Sequence, residues 1–316
     1  MQLRKSASLV YLSPEMVQAA SFRKLWADRV FCKRVAALIV DEAHCTDEWG
    51  DDAFRPMYRK LFQLRAYTGM EIPFVACTAT CSTPTFDIIW NTLGYGSRPF
   101  WGLDVGVDRP NLFFGIREMA DSKMPVLDFL ACLPRVITAD MSVEEILSKI
   151  LKTLIYVDSE AACRQFAYAI RMCLPAALRG KVGSFSSDLS EAAKAELWAK
   201  FVRGEILILV CTDAAGMGCN VPDVRCVMIY GLPKSFASVA QRWGRAGRNR
   251  TVEATCLLFV PSWSINPARP ALVSRAIEKS AAKESKVDVE RREKMEPTLR
   301  EFVNLGSSTN CESSLC

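Results

Sequence analysis

The sequence predicts an α/β protein whose strands form parallel sheets covered on both faces. Two patterns carry that expectation. Apolar runs such as VAALIV (35–40) and ILILVC (206–211) are short and near-continuous. They lack the one-in-two alternation of a half-exposed strand, as strands buried on both faces do. Between the runs lie amphipathic stretches long enough for helices, and strand–helix alternation is the mark of parallel βαβ units. Length supplies a third observation: 316 residues, at roughly 150 residues per domain, suggest about two domains.

In chain order, LVYL (9–12) reads as a buried strand. In YLSPEM (11–16), Ser13 reads as an N-cap, Pro14 as the first helical residue and Glu15 as a first-turn acid. They open the amphipathic stretch EMVQAASFRKLW (15–26). VAALIV (35–40) and FVAC (74–77) are the next strands, and this first group ends near GLDVGVDRPNL (102–112). The second group runs from about Phe113 to Pro261. Its strands are TLIYV (153–157), ILILVC (206–211), VMIY (227–230) and TCLLFV (255–260). Its helices include AACRQFAYAIRMC (161–173) and EAAKAELWAKFV (191–202), and ACLPRVITADMS (131–142) reads as a loop. From Ser262 onward the chain is charged and helical with no strand pattern, and it ends in the polar stretch SSTNCESSLC. The expected domains are therefore 1–112 and 113–262, with a helical tail over 263–316.

Composition narrows the classes. Lys plus Arg number 40 and Asp plus Glu 35, a net charge of +5, which permits an anionic partner without requiring one. No apolar run reaches the roughly 18 residues of a membrane helix. Pro14 and Glu15 cut short any h-region of a secretory signal. The 13 cysteines are scattered and odd in number, so free thiols are expected. Cys77, Cys211, Cys226 and Cys256 lie in apolar runs, where Cys serves as a small buried hydrophobe. His44 is the single histidine, which excludes catalysis by paired histidines.

Five segments carry chemistry. VAALIVDEAHC (35–45) ends a strand in Asp41 and Glu42, and ligands of open α/β sheets bind at such strand ends. One carboxylate there can hold Mg²⁺ against nucleotide phosphates and the other can deprotonate a water; a solvated acidic turn is the alternative. In QRWGRAGR (241–248), a helix would bring Gln241, Arg245 and Arg248 to one face, a fork for phosphate oxygens. Gly244 and Gly247 argue against a merely solvated helix there. Thr212 and Asp213 follow a strand and precede the glycines Gly216 and Gly218, in a loop whose N–H groups can meet an anion. CTAT (77–80) offers the hydroxyls of Thr78 and Thr80 at a strand end, or else caps a helix over TFDIIWNTL. The N-terminus of the helix behind Ser13 could also receive a phosphate.

Together these segments resemble the RecQ family of superfamily-two DNA helicases. SPEM resembles motif Ib, DEAH (41–44) motif II, TAT (78–80) motif III, LIYVDS (154–159) motif IV, TDAAGMG (212–218) motif V and QRWGRAGR (241–248) motif VI. CTDEWGDDAFRPMY (45–58) resembles the family's aromatic-rich loop, and VDRPNL (107–112) its interdomain segment. The resemblance spans about residues 8–262. It implies tandem RecA-like (P-loop NTPase) domains and an ATP-dependent 3′–5′ DNA helicase of repair and recombination, located in the nucleus. Its cofactors would be ATP and Mg²⁺, and its partner single-stranded and branched DNA. By the same resemblance Asp41 would hold Mg²⁺ through water, Glu42 would be the general base, and His44 would couple the nucleotide site to motif III and DNA. Gln241, Arg245 and Arg248 would meet the γ-phosphate, and Asp213 and Gly216 would belong to the nucleotide-coupling loop. Trp49, Phe54 and Arg55 would sense single-stranded DNA, on which aromatic stacking contributes about 1–3 kcal/mol per base. Ser13, Thr80 and Thr212 would contact the DNA backbone.

The departures have consequences. No GxxxxGK[ST] occurs, so the first RecA-like domain is expected to be incomplete before motif Ib, with a sheet edge open. Glu48 stands where the family has Gln, Ala53 reads as an insertion, and Arg242 replaces the usual acid after Gln241. Only Cys311 and Cys316 fall where the family often has a four-cysteine zinc platform, so no zinc is assigned. Two other readings stand beside the helicase: a nucleic-acid-binding protein without turnover, and a superfamily-two RNA helicase. The aromatic-rich loop weighs against the RNA helicase.

Overall fold

The computed structural model describes residues 9–48, 57–68, 72–96, 99–104, 106, 108–120, 128–129, 141–215, 221–266 and 285–304. Trp49, Ala53, Phe54, Arg55, Gly216, Cys311 and Cys316 lie outside them, as does the side chain of Glu48. The chain divides into two compact units, Met1–Gly106 and Val107–Cys316.

The first unit holds a two-stranded parallel sheet, β1 (Leu38–Val40) beside β2 (Phe74–Ala76), with Leu38 opposite Phe74 and Val40 opposite Ala76. Helices Pro14–Gln18, Ala20–Trp26 and Thr83–Thr92 surround it. Its core gathers Phe22, Leu25, Trp26, Val40, Leu61, Leu64, Phe74 and Leu93. Three expectations are corrected here. LVYL (9–12) forms no strand: the run has no pairing partner, Tyr11 is 85% exposed, and Ser13 and Pro14 turn the chain into a helix. The amphipathic stretch 15–26 is two helices, broken at Ala19, whose ψ of 150° is extended. Cys77 lies past the end of β2 and is exposed.

The second unit is a six-stranded sheet with every pairing parallel, in the order β3-β8-β7-β4-β6-β5. The strands are β3 (Leu112–Glu118), β4 (Thr153–Tyr156), β5 (Val182–Phe185), β6 (Ile208–Cys211), β7 (Cys226–Tyr230) and β8 (Ala254–Val260). Side chains of alternate strand residues enter two separate core clusters. Leu154, Tyr156, Leu209 and Cys211 belong to one, and Ile155, Ile208 and Val210 to the other. That is the both-face coverage expected of a parallel sheet. The helix Glu191–Val202 coincides with the stretch read from sequence.

The division between units falls at 106/107, ahead of the boundary drawn at 112/113 from sequence. Residues 108–112 are held in the second unit, because Arg109 Nη2 donates to the carbonyls of Ala246 and Gly247 (3.1 and 2.7 Å). Asn111 Nδ2 donates to those of Gly247 and Val252 (2.9 and 2.8 Å). The tail belongs to this unit too: Leu299 and Val303 of the helix Pro297–Asn304 are buried in its core.

Candidate active site

In the first unit the DEAH residues continue β1. Cys77 N–H donates to the Val40 carbonyl and Ala43 N–H to the Cys77 carbonyl, both at 2.9 Å, so the two strand ends stay laced together past the sheet. Asp41 is exposed, and its Oδ1 accepts the Glu42 N–H at 2.9 Å. Glu42 has φ of 50°, the one non-glycine residue with positive φ among those described. Such a conformation costs on the order of 1–2 kcal/mol and is found where surrounding structure holds it. Two residues on, His44 is buried, 3% exposed.

His44 Nδ1 lies 2.9 Å from Thr78 Oγ1 and 3.4 Å from Glu42 Oε2. Thr78 Oγ1 in turn donates to the Thr80 carbonyl (2.8 Å) and accepts the Thr80 N–H (3.2 Å). One histidine thus joins the acidic strand end to the TAT segment. Thr80, read as the DNA contact, has a buried Oγ1 with no hydrogen-bond partner among the described residues. Neither threonine caps the following helix. Ser82 does that, accepting the Thr85 N–H, while the Thr85 hydroxyl donates to Asp47 Oδ2 at 2.8 Å. Ser13 is the N-cap read from sequence, its Oγ accepting the Met16 N–H at 3.2 Å.

In the second unit Thr212 and Asp213 leave the carboxyl end of β6, and Thr212 Oγ1 accepts the Ala214 N–H at 3.4 Å. Gln241 sits in the last turn of the helix Phe236–Trp243. The expectation that Gln241, Arg245 and Arg248 share a helix face is corrected. The helix stops at Trp243, and Arg245 and Arg248 leave from the turn beyond it. Gly244 caps the helix and Gly247 has φ of 48°. A Cβ on Gly247 would come within 2.9 Å of the Val252 carbonyl oxygen and 2.6 Å of Asn111 Nδ2. The glycines therefore serve a tight turn, which Arg109 and Asn111 clamp from below.

Two residues given no such role from sequence complete this region. Arg242, noted only as a departure, is 7% exposed and forks Asp213, its Nε and Nη2 donating to Oδ1 and Oδ2 at 2.8 and 3.0 Å. Burial pulls the Arg242 pKa down, but Asp213 and Asp158 outweigh it and the net shift is upward. Asp158, just past β4, is 3.8 Å from Arg242 Nη1. An arginine in a basic stretch reads as solvated, so the sequence carried no signal for its burial. Among the described residues no three His, Cys, Asp or Glu side chains cluster as metal ligands.

Residues 139–250 match the family model of the helicase conserved C-terminal domain. The chain is 29% identical over 269 residues to ATP-dependent DNA helicase Q-like 2 of Arabidopsis thaliana, covering 84% of this chain and 35% of that protein. It is 32% identical over 253 residues to the Schizosaccharomyces pombe helicase hus2/rqh1, covering 79% and 17%. With the probable helicase RecS of Bacillus subtilis it shares 27% over 252 residues, covering 80% and 46%. The chain thus spans less than half the length of each of these relatives. Two solved structures share its fold. One is the helicase MrfA bound to DNA and AMPPNP, with TM-score 0.59 and 19% identity over 82% of this chain and 35% of that one. The other is Mss116p bound to ssRNA and AMP-PNP, with TM-score 0.58 and 17% identity over 79% and 48%. The family model includes the QRWGRAGR segment just described, and over most of its length the chain is similar to RecQ-type superfamily-two DNA helicases.

Proposed function

We propose that this chain serves ATP-dependent 3′–5′ unwinding of DNA, with single-stranded and branched DNA as its track and repair or recombination in the nucleus as its setting. The observation that carries the reading is the His44–Thr78 hydrogen bond of 2.9 Å. It connects the strand end bearing Asp41 and Glu42 to the segment read as contacting DNA, which is the linkage a nucleic-acid-stimulated hydrolase requires.

Asp41 suits a Mg²⁺ ion by chemistry: it is an exposed hard-oxygen donor at the carboxyl end of a parallel strand. Magnesium typically takes one or two carboxylates and fills its remaining positions with water and phosphate oxygens. Bound there, the ion would offset charge on the phosphates. Glu42 would accept the proton of the attacking water, and Gln241, Arg245 and Arg248 would meet the γ-phosphate. Asp213 would work through Arg242, because its carboxylate is held in that fork.

A second reading, nucleic-acid binding without turnover, draws on that same fork, which occupies the Asp213 carboxylate expected at the nucleotide side. Phosphate release and strand separation on a 3′-tailed duplex, measured with and without Glu42→Gln, decide between the two. Turnover that disappears in the variant supports the motor. Binding of oligo-dT with no turnover supports the second reading. Competition by oligo-rU as strong as by oligo-dT would instead point to RNA.

A further inference from the structure

Four residues of the second unit form a continuous link. Thr212 follows β6 and Asp213 follows Thr212; Gln241 ends a helical turn and Arg242 follows Gln241. The Arg242 fork onto Asp213 therefore joins the chain neighbour of a residue read as a DNA contact to the chain neighbour of one read as a phosphate contact.

Three properties separate this pair from an ordinary surface salt bridge, which contributes little. Arg242 is buried, with its guanidinium 5.4 Å from the centroid of the Tyr156 ring, itself fully buried. The contact is bidentate, so it fixes orientation as well as distance. Finally, the network is unfinished. Arg242 Nη1 and the Tyr156 hydroxyl are buried with no hydrogen-bond partner among the described residues. The carboxylate oxygen that Nη1 faces, Asp158 Oδ1, is 3.8 Å away, an ion-pair distance too long for a hydrogen bond. Asp158 is seated against Gly231, whose φ of 108° and lack of Cβ leave room for a carboxylate oxygen only 2.6 Å from where a Cβ would stand. The guanidinium thus has one carboxylate engaged and a second within a short rotation. Two alternative carboxylates for one buried guanidinium are what a two-state element needs, and such an element is the physical requirement for carrying coupling between sites.

We propose that Arg242 is a positioning residue that relays nucleic-acid engagement at Thr212 to the helix bearing Gln241, gripping Asp213 in one arrangement and Asp158 in the other. The inference rests on the reading of the chain as a nucleic-acid-driven motor, and its test uses neither nucleotide nor turnover.

The test is hydrogen exchange across residues 236–243 in the full chain, with and without saturating oligo-dT, binding being followed separately by anisotropy. In the wild-type protein oligo-dT is expected to slow exchange there by about five-fold or more, the lower end of ordinary allosteric couplings. Asp213→Asn, which breaks the fork, should remove that response, and Arg242→Lys, which keeps the charge without the fork, should weaken it. Asp158→Asn serves as a second variant if Asp213→Asn does not fold, and it too should diminish the response. A wild-type protein that binds oligo-dT with unchanged exchange at 236–243 overturns the relay alone. So does a folded Asp213→Asn or Asp158→Asn variant that responds like wild type. A wild-type protein that does not bind oligo-dT at all overturns the functional reading and takes the relay with it.

Discussion

His44 Nδ1 carries a proton, and Thr78 is what fixes it there. The Thr78 hydroxyl has one hydrogen, which it donates to the Thr80 carbonyl at 2.8 Å. Its oxygen is therefore the acceptor of the 2.9 Å contact with His44 Nδ1, and the nitrogen is the donor. The Glu42 carboxylate oxygen 3.4 Å from the same nitrogen agrees with that assignment. A hydroxyl thus sets the tautomer of the chain's single histidine and leaves Nε2 as its acceptor when the ring is neutral.

Thr78→Val tests this. It keeps the shape and removes the acceptor, leaving a buried imidazole N–H with only the longer Glu42 contact. A group left unsatisfied in this way costs about 1–3 kcal/mol. The expected result is a loss of that size in the unfolding of the first unit, with the Nδ1–H signal of long-range ¹H–¹⁵N spectra reduced in favour of Nε2–H. A wild-type spectrum already dominated by Nε2–H would refute the assignment.

Gly247→Ala should be among the most damaging single-methyl additions in the second unit. Its φ of 48° alone makes a side chain unfavourable, by roughly 1–2 kcal/mol. The added Cβ would also stand 2.9 Å from a backbone oxygen, that of Val252, which cannot rotate away. Gly180→Ala is the control, because nothing lies within 4 Å of a Cβ there. Thermal denaturation should show a clear drop for the first and little for the second.

In the second unit the apolar runs of the sequence mark the strands inside the sheet and not those at its edges. The strands quoted from apolar runs in the second half, β4, β6, β7 and β8, are the four interior strands of the sheet. The two not found, β3 and β5, are its two edges. Edge strands carry less continuous apolar sequence because one side lacks a neighbouring strand: β5 reads VGSF, and β3 leaves Phe114 46% exposed. The site residues divide as well. Asp41, Glu42 and His44 stand out in the sequence because they follow the continuous apolar run VAALIV. Arg242 does not, because its burial depends on an aspartate from a different strand end. Arg109 and Asn111 do not, because their partners are backbone carbonyls of a turn far along the chain.

The cysteines give a test by reactivity. Cys77, Cys81 and Cys173 are exposed, while Cys45, Cys163, Cys211, Cys226 and Cys256 are buried. Burial pushes the Cys256 thiol up to about 12 against the pull of Arg109, and the thiolate is the reactive form. Cys81 is raised as well, by desolvation and then by Asp104. Timed alkylation near neutral pH followed by peptide mass spectrometry should therefore label Cys173 and Cys77 first, Cys81 more slowly, and Cys256 only on unfolding. Cys256 modified in the folded protein as fast as Cys173 would contradict the packing of β8.

Glu296 ties the tail to the helix bearing Gln241, and its contribution should depend on pH. Its Oε2 accepts the N–H of Leu299 (2.7 Å) and of Phe236 (3.2 Å), and its Oε1 that of Thr298 (3.0 Å). One carboxylate therefore serves the N-termini of two helices, which also meet through Phe302 against Phe236 at 4.8 Å. Desolvation pushes the Glu296 pKa up, but those N–H donors outweigh it and the net shift is below 4.5. A folded pKa under the unfolded one means stability fully present above pH 4.5 and lost as pH falls through the lower, folded value. Glu296→Gln should cost about 1 kcal/mol at neutral pH, the size of a lost helix cap. The gap between wild type and variant should then close as acid takes the protein below that depressed folded pKa, where both side chains are neutral. Thermal melts of the two proteins across that range measure it, and a gap that stays constant into acid would show that the charge on Glu296 does not hold the tail in place.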